Sequence, residues 1–317
     1  MLAIILALFG PGLGQMYQGR RTPALFFGAV FVACMLAASF TVYAFGLAVV
    51  VYATAFVETV IYFARKKPSE HNTMQAAMMW GAFVVVGAIS QYLLGQAFKL
   101  PSSSMHPTLM LDDHVYATRL FKAPDRGDLI VFHQPCQTDR MYLKRVIALG
   151  GDTVEIRCNV LYLNGKKVPT EVVKAEDSYK DRNEEGSEWY TKECSRYRET
   201  IGDHTFEVFH DPERPTRTGP DPKDFPLDME HTCSNQRDYE SRPSSEQAAG
   251  KIVDTGPEDP PCAPHRHYVV PTGHVFVMGD NRNNSNDSRF WGSVPVGLIT
   301  GRVKGIWWPP RRFGNVD

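Results

Sequence analysis

The chain has 317 residues, of which 43% are hydrophobic and 22% are charged, and its formal net charge is −1. This balance excludes a nucleic-acid-binding protein held by bulk charge, which would be strongly basic. It also excludes global disorder, because 18 Phe, 13 Tyr and 5 Trp supply ample core material. The charge is unevenly distributed, since the first 100 residues contain only six Lys or Arg and two Asp or Glu. The sequence therefore predicts a membrane anchor over 1–99 and a globular domain over 100–317.

The first apolar stretch, residues 1–14, is interrupted by Gly10-Pro11-Gly12. It is too short to cross a bilayer comfortably, because one crossing needs roughly 20 residues. A cleavable signal peptide is disfavoured, since no basic residue precedes Arg20. We expect a shallow or re-entrant helix here, and whether it forms an additional span stays open.

Two longer apolar runs follow, over 24–64 and 74–98. The first is long enough to cross a bilayer twice and the second to cross it once. The basic clusters at Arg20-Arg21 and Arg65-Lys66-Lys67 should face the cytoplasm by the positive-inside rule. The last span then delivers the globular domain to the outer, periplasmic face of the plasma membrane. The predicted spans cover about 23–42, 44–64 and 75–98.

After residue 100 the helical period disappears, and short runs rich in Val, Ile, Tyr and Phe alternate with turn signals. Asn164-Gly165 between apolar residues is the strongest short-range signal for a β-hairpin. The pattern predicts a mainly β domain, a barrel or sandwich-like fold. Residues 175–265 are polar and rich in Pro, Asp and Glu, which indicates an insertion. We expect one or two strands in it, the best over Thr205–His210, and much irregular chain.

Six cysteines are present, and Cys34 lies in a predicted span. No C-x-x-C spacing occurs, so neither a zinc site nor a thioredoxin-like motif is predicted. Cys233 and Cys262 bracket the most irregular part of the insertion, where a disulfide would restrain the most chain entropy. We therefore expect a bridge between Cys233 and Cys262, although spacing alone does not fix connectivity.

A lysine, Lys144, interrupts an apolar strand pattern. In strict alternation it shares a face with Tyr142 and Val146, whereas Arg145 lies on the opposite face. A lysine on an apolar face is costly unless it is neutral or paired. One interpretation is that the side chain extends along the surface to reach solvent. The other is a desolvated amine whose lowered pKa allows it to act as a general base.

Three serines, Ser102 to Ser104, lie between prolines directly after the last predicted span. Such a segment is usually a linker, unless another residue activates one of the hydroxyls. Lys144 could do so and form a Ser-Lys dyad. His106 is a rival base, but it is badly placed two residues after Ser104.

Four segments together resemble the conserved boxes of bacterial type I signal peptidases, the membrane-bound leader peptidases. Pro101–Leu109 resembles the nucleophile box, and Arg126–Phe132 resembles the next box. Tyr142–Asp152 resembles the lysine box, and Gly279–Gly292 resembles the last box. The four segments occur in the family order, after a predicted span. The first 70 residues match the family only as an anchor.

The resemblance implies a role for individual residues. Ser104 would be the nucleophile and Lys144 the general base. Ser102 would help the N–H of Ser104 to form the oxyanion hole. The other implied roles are support: Ser285 orients the lysine amine, Asp280 pairs with Arg145, Asp287 and Arg289 hold the last box in shape, and Met105 lines the substrate pocket and shields the dyad from water.

The resemblance further implies removal of signal peptides from exported preproteins, after small residues at −3 and −1 as in Ala-X-Ala. Such substrates bind as an added β-strand. Implied partners are the lipid bilayer and a nearby secretion translocon, with no nucleic acid, no cofactor and no metal. Two alternatives stay open: a catalytically silent membrane scaffold, which would be expected to lose Ser104 or Lys144, and a different Ser-Lys membrane peptidase. The self-cleaving SOS repressors are excluded, because they are cytosolic and carry a DNA-binding N-terminus.

Overall fold

The computed structural model describes residues 2–37, 42–65, 73–183, 188–221, 223–226, 250–256 and 260–316. The chain forms two compact units. The first comprises residues 1–97, 115–120 and 304–315, and the second comprises most of the remainder. Each unit is described by itself below.

In the part of the chain that the structure describes, the first unit contains five helices, all in the apolar third. One stretch among the described residues, Gly46–Arg65, is long and apolar enough to cross a membrane, and Arg21–Met35 is a shorter apolar helix. The prediction of three spans therefore stays a prediction. The helices are α1 Leu2–Ala7, α2 Leu13–Tyr17, α3 Arg21–Ala37, α4 Val42–Arg65 and α5 Thr73–Leu94.

The predicted break at Gly10-Pro11-Gly12 separates α1 from α2. Gly14 in α2 allows this helix to approach α1 and α4 closely. A Cβ at this position would lie 2.6 Å from the carbonyl oxygen of Ala3 and 2.5 Å from Cγ2 of Thr59. The first apolar stretch thus forms two short packed helices over 2–17 rather than one.

The described residues after α5 form mainly antiparallel strands, which confirms the predicted mainly β domain. Consecutive residues of β4 point to opposite faces of the sheet, since Ile147 packs in one hydrophobic core and Val146 in another. The elements are β1 Gln96–Lys99, β2 His114–Thr118, β3 Leu129–Gln134, β4 Gln137–Leu149, β5 Thr153–Arg157, β6 Val160–Leu163, β7 Lys166–Lys167, β8 Thr170–Arg182, β9 Trp189–Ile201, β10 His204–His210, β11 Lys251–Asp254, β12 Arg266–Val269, β13 His274–Met278, α6 Ser288–Trp291, β14 Val294–Pro295, β15 Ile299–Trp308 and β16 Gly314–Asn315.

Three sheets position the candidate site in the second unit. One sheet has the order β15-β3-β4-β13-β14, the second β11-β12-β5-β6-β7, and the third β10-β9-β8. The predicted hairpin at Asn164-Gly165 is present between β6 and β7. Both turn residues have positive φ, 53° and 71°, as a type I′ turn requires.

The expectation of much irregular chain over 175–265 is wrong for the first part of that segment. Strands β8 and β9, of 13 residues each, form a long hairpin, and β10 completes a three-stranded sheet. The strand predicted over Thr205–His210 is confirmed as β10. Residues 227–249, the polar part of the insertion, lie outside the described residues.

The expected disulfide between Cys233 and Cys262 is also wrong. Cys262 is bonded to Cys158, with Cα atoms 5.5 Å apart across 104 residues of sequence. Pairing of β12 with β5 brings these two segments together, and Arg157 donates to the carbonyl of Pro261 at 2.9 Å. Sequence spacing does not contain this long-range pairing. Cys233 itself lies outside the described residues.

Candidate active site

Strand β4 positions the candidate base. Lys144 stands opposite Ile130 of β3, and its ammonium lies 5.5 Å from the ring centroid of Tyr142. Tyr142 and Lys144 therefore share a face, as alternation predicts. The lysine is only 5% exposed.

The candidate nucleophile lies in a compact loop before β2. His106 N–H donates to the carbonyl of Ser103 at 3.1 Å, and Leu109 N–H donates to Met105 at 2.9 Å. The Nε2 atom of His106 accepts from the N–H of Leu111 at 2.9 Å. His106 therefore stabilises the loop through its Nε2 atom.

The loop after β13 fixes the nucleophile loop from the other side. Asn281 donates its backbone N–H to the carbonyl of Ser104 and its side-chain amide to the carbonyl of Ser103, both at 3.1 Å. Gly279 permits this approach, because a Cβ there would lie 2.5 Å from the Ser104 carbonyl oxygen and 2.3 Å from Oγ of Ser285.

The nucleophile loop and strand β4 bring the predicted dyad together. Nζ of Lys144 lies 2.7 Å from Oγ of Ser104, at hydrogen-bond distance. Burial lowers the pKa of Lys144 to about 8, although the Asp287 and Asp280 carboxylates act in the opposite direction. At pH 7.4 about 20% of an amine with that pKa is neutral, against roughly 0.1% for an ordinary lysine. The amine can therefore accept a proton near neutral pH.

Ser102 lies beside the dyad and is exposed to solvent. Its hydroxyl oxygen is 3.2 Å from Oγ of Ser104. Pro101 and Ser102 are also part of the wall of a neighbouring cleft. A hydroxyl in this position can donate to an oxygen that develops negative charge on a carbonyl attacked by Ser104.

Arg145 and Asp280 form a fully buried ion pair behind the dyad. The guanidinium donates to both carboxylate oxygens, at 2.8 and 2.7 Å, and both side chains are 0% exposed. Arg145 also donates to the carbonyl of Gly127 at 2.7 Å, and Thr108 donates to Asp280 at 2.5 Å. The pair therefore joins β4, the nucleophile loop and the loop after β13.

Asp287 and Arg289 form a second buried pair, which shapes the loop after β13. Arg289 donates to the Asp287 carboxylate at 2.8 and 2.9 Å and to the carbonyl of Arg282 at 2.8 Å. Asp287 also accepts from the N–H of Gly279 at 3.0 Å. Although burial opposes the charged form, Arg289 and these hydrogen bonds lower the pKa of Asp287.

Two of the implied roles stay predictions. Met105 is 0% exposed and is not part of the cleft wall, and its role in lining the substrate pocket and shielding the dyad stays a prediction. Ser285 forms no hydrogen bond to Lys144 in this structure, and its buried hydroxyl has no partner at hydrogen-bonding geometry among the described residues. It lies close enough to Asp287 to help lower the pKa of that carboxyl. Orientation of the lysine by Ser285 stays a prediction.

A cleft of about 370 Å³ opens next to the dyad. Within the described ranges, no three His, Cys, Asp or Glu side chains gather into a metal-binding group. Sequence reasoning assigned no role to Thr108, Asn281 or Asn284, although all three lie inside the quoted motifs. The wall of the cleft is formed by Phe98–Ser102, Ser104, Val131, Met141–Lys144, Asn284 and Asn286.

Known proteins resemble this chain over most of its length. Residues 72–308 match the family described as signal peptidase, peptidase S26. A signal peptidase I from Aquifex aeolicus is 33% identical over 225 residues, which cover 69% of this chain and 78% of that protein. The chain belongs to the signal peptidase I family.

Further members of the signal peptidase I family are similar to this chain. The signal peptidase I of Pseudomonas aeruginosa is 27% identical over 269 residues, covering 74% of this chain and 72% of that protein. A crystal structure of a signal peptidase I from Enterococcus faecalis aligns with 57% of this chain and 97% of its own, at 20% identity and a TM-score of 0.26. That structural likeness is too low to support an argument on the fold, whereas the sequence relationship makes the chain a peptidase of this family.

Proposed function

We propose that this protein removes N-terminal signal peptides from exported preproteins, with Ser104 as nucleophile and Lys144 as general base. The observation that supports this most strongly is the 2.7 Å separation between Nζ of a buried Lys144 and Oγ of Ser104. The relatives that share this chain's sequence are named signal peptidase I.

In the proposed mechanism, the neutral amine of Lys144 takes the Ser104 hydroxyl proton while Oγ attacks the scissile carbonyl. The resulting oxyanion is held by the Ser104 N–H and the Ser102 hydroxyl. The lysine then gives its proton to the leaving amine, which departs as the new N-terminus of the mature protein. Water, deprotonated by Lys144, hydrolyses the acyl-enzyme and releases the signal peptide.

The substrate would bind as an extended chain between the two segments of the cleft wall, Phe98–Ser102 and Met141–Lys144. A volume of about 370 Å³ is near the lower end of the range for ligand pockets. A cleft of this size can hold part of an extended peptide. Cleavage after small residues at −3 and −1 is included in the proposal because the resemblance to the family implies it.

The proposal includes a location at the inner plasma membrane, with several spans and the second unit on the periplasmic side. The apolar helix over Gly46–Arg65 supports attachment to a bilayer. The translocon is a proposed neighbour, because preproteins emerge there with their cleavage sites close to the membrane.

The test is cleavage of a model preprotein by purified protein in detergent, with Ser104→Ala and Lys144→Ala beside wild type. Each variant should lose cleavage completely, because nucleophile and base act as one unit. Lys144→Arg should also be inactive, since a guanidinium is not deprotonated at working pH. Ser178→Ala and Lys174→Ala make the same two changes at exposed positions of β8 and should retain full activity. Clear cleavage by Ser104→Ala would exclude the dyad, and no cleavage by folded wild type would favour the silent scaffold.

A further inference from the structure

The side chain of Asn284 joins the sheet inserted after residue 170 to the nucleophile loop. Its amide nitrogen donates one hydrogen to Oγ of Ser103 at 2.9 Å and another to the carboxylate of Asp181 at 2.8 Å. Asp181 belongs to β8 and is 6% exposed, and Ser103 is 2% exposed. An amide nitrogen carries only two hydrogens, so both are used.

The carboxylate of Asp181 decides which way the Asn284 amide faces. An ionised carboxylate only accepts hydrogen bonds, so the Asn284 atom that contacts it must be the nitrogen. Tyr179, two residues before Asp181, lies on the same side. Burial raises its pKa to about 12, while the side chains of Asn281 and Asn284 counteract part of that rise. The nitrogen of Asn284 is therefore directed towards the inserted sheet and the nucleophile loop.

Asn284 also belongs to the wall of the 370 Å³ cleft, whereas Ser103 and Asp181 do not. With its nitrogen held by those two buried groups, the amide has one polar atom left for the cleft, the carbonyl oxygen. An extended peptide brings backbone N–H groups into such a cleft, and each needs an acceptor once water is displaced. In the opposite orientation the Asn284 NH₂ group would face the peptide N–H groups, and two donors do not form a hydrogen bond.

We propose that Asn284 is a substrate-binding residue, whose side-chain oxygen accepts a hydrogen bond from a backbone N–H of the bound peptide, and that Asp181 is a positioning residue that sets this orientation. The proposal rests on the function proposed above and assigns the inserted sheet a part in it. Ser103 assists by accepting the second hydrogen of the amide.

The experiment compares peptide substrates in which one backbone N–H near the cleavage site is replaced by an ester oxygen. For wild type, one position of the ester series should raise KM about tenfold, the effect of removing one well-formed hydrogen bond. In Asn284→Ala the same ester should not raise KM further, because the accepting oxygen of Asn284 is absent. A loss caused only by disturbed folding would leave the ester effect in place.

Asp181→Asn tests the positioning role. The new amide can donate as well as accept, so it no longer fixes the orientation of Asn284. KM should rise about threefold with little change in kcat, as for weakened ground-state binding. Asp177→Asn is the matched control on the same strand, since Asp177 pairs with Lys174 and Arg196 rather than with Asn284, and its KM should be that of wild type.

The outcomes separate the two proposals. An ester effect that persists unchanged in Asn284→Ala, in an enzyme that still depends on Ser104, would overturn the role of Asn284 alone. A fall in kcat at constant KM in Asp181→Asn would overturn the positioning role. Failure of wild type to cleave any of the all-amide substrates would overturn both this proposal and the function on which it rests.

Discussion

The sheet that carries Lys144 and the sheet inserted after residue 170 both bury charged side chains, but they satisfy them differently. In the first, Arg145 and Asp280 make two hydrogen bonds to each other and further bonds to the loops beside them. In the second, Glu199 pairs with Arg282 at 2.6 Å, close to the buried His210. A cavity of about 20 Å³ remains beside these groups, space for about one water molecule.

The two buried groups differ in their unsatisfied hydrogen bonds, since every buried polar atom of the Arg145 and Asp280 side chains has a partner. Among the described residues, Nε2 of His210, Nε of Arg282 and Nη1 of Arg214 are buried without a hydrogen-bond partner. Burial therefore lowers the pKa of His210 to about 3. Loss of either Arg145 or Asp280 should therefore strongly destabilise the fold. The stability of the inserted sheet should instead depend mainly on pH.

The largest effect is expected from breaking the pair behind the dyad. Arg145→Met leaves the Asp280 carboxylate buried and without its cation, which should cost about 3–5 kcal/mol of unfolding free energy. Activity should be lost as well, because Asp280 joins the nucleophile loop to the site. Urea unfolding measures the first quantity and preprotein cleavage the second.

Arg198→Met is the matched control, since the same change in the inserted sheet removes only an exposed pair with Glu207, 46% and 31% exposed. Such pairs contribute about 0–1 kcal/mol. Similar losses for the two variants would contradict the contrast between the sheets.

The next effect concerns the serines around the dyad. Ser102→Ala removes a proposed oxyanion donor and should lower kcat by about 10²–10³, with little change in stability. Ser285→Ala should slow the reaction less, because an orienting hydrogen bond contributes less than a donor to the transition state. Single-turnover kinetics of the two variants check the order, and equal losses would exclude the oxyanion role of Ser102.

The smallest effect is the pH response of the inserted sheet. The folded pKa of His210, about 3, lies below the usual histidine pKa of 6.5, so the unfolded chain binds this proton first as the pH falls. Stability should decrease by about 2 kcal/mol between pH 7 and pH 5 through this group. Urea midpoints at both pH values measure it.

In His210→Asn this component should be absent. The pKa of the Glu199 carboxyl falls to about 2 despite its burial, because Arg282 and His210 stabilise the charged form. This carboxyl therefore lowers the stability only when the pH falls below its usual pKa of 4.5. An unchanged pH dependence in His210→Asn would show that the buried imidazole does not carry the effect.

Comparison of the two sheets also shows what the sequence could predict. The alternation around Lys144 is visible because its neighbours Tyr142 and Val146 are apolar, and the motifs name Ser104, Arg145 and Asp280 directly. In the inserted strands the alternation of apolar and polar residues is less visible in the sequence. In β9 the buried positions include Tyr197, Glu199 and Ile201, so a charged residue occupies the inner face.

Contacts between distant segments were not predictable. The hydrogen bond from Asn284 to Ser103 spans 181 positions of the sequence. The hydrogen bond from Asn284 to Asp181 spans 103 positions. The same holds for the bridge between Cys158 and Cys262. Such contacts depend on how the sheets pair, which local composition does not encode.

The most direct test of the central claim, a neutral Lys144 acting on Ser104, is the pH profile of kcat/KM for preprotein cleavage. The acid limb reports the base in the free enzyme, and burial lowers the pKa of Lys144 to about 8. Activity should therefore rise about tenfold per pH unit below pH 8 and level off above it, with the same inflection in His106→Ala. An inflection that moves in His106→Ala, or activity that keeps rising past about pH 10, the range of an ordinary lysine, would contradict the account.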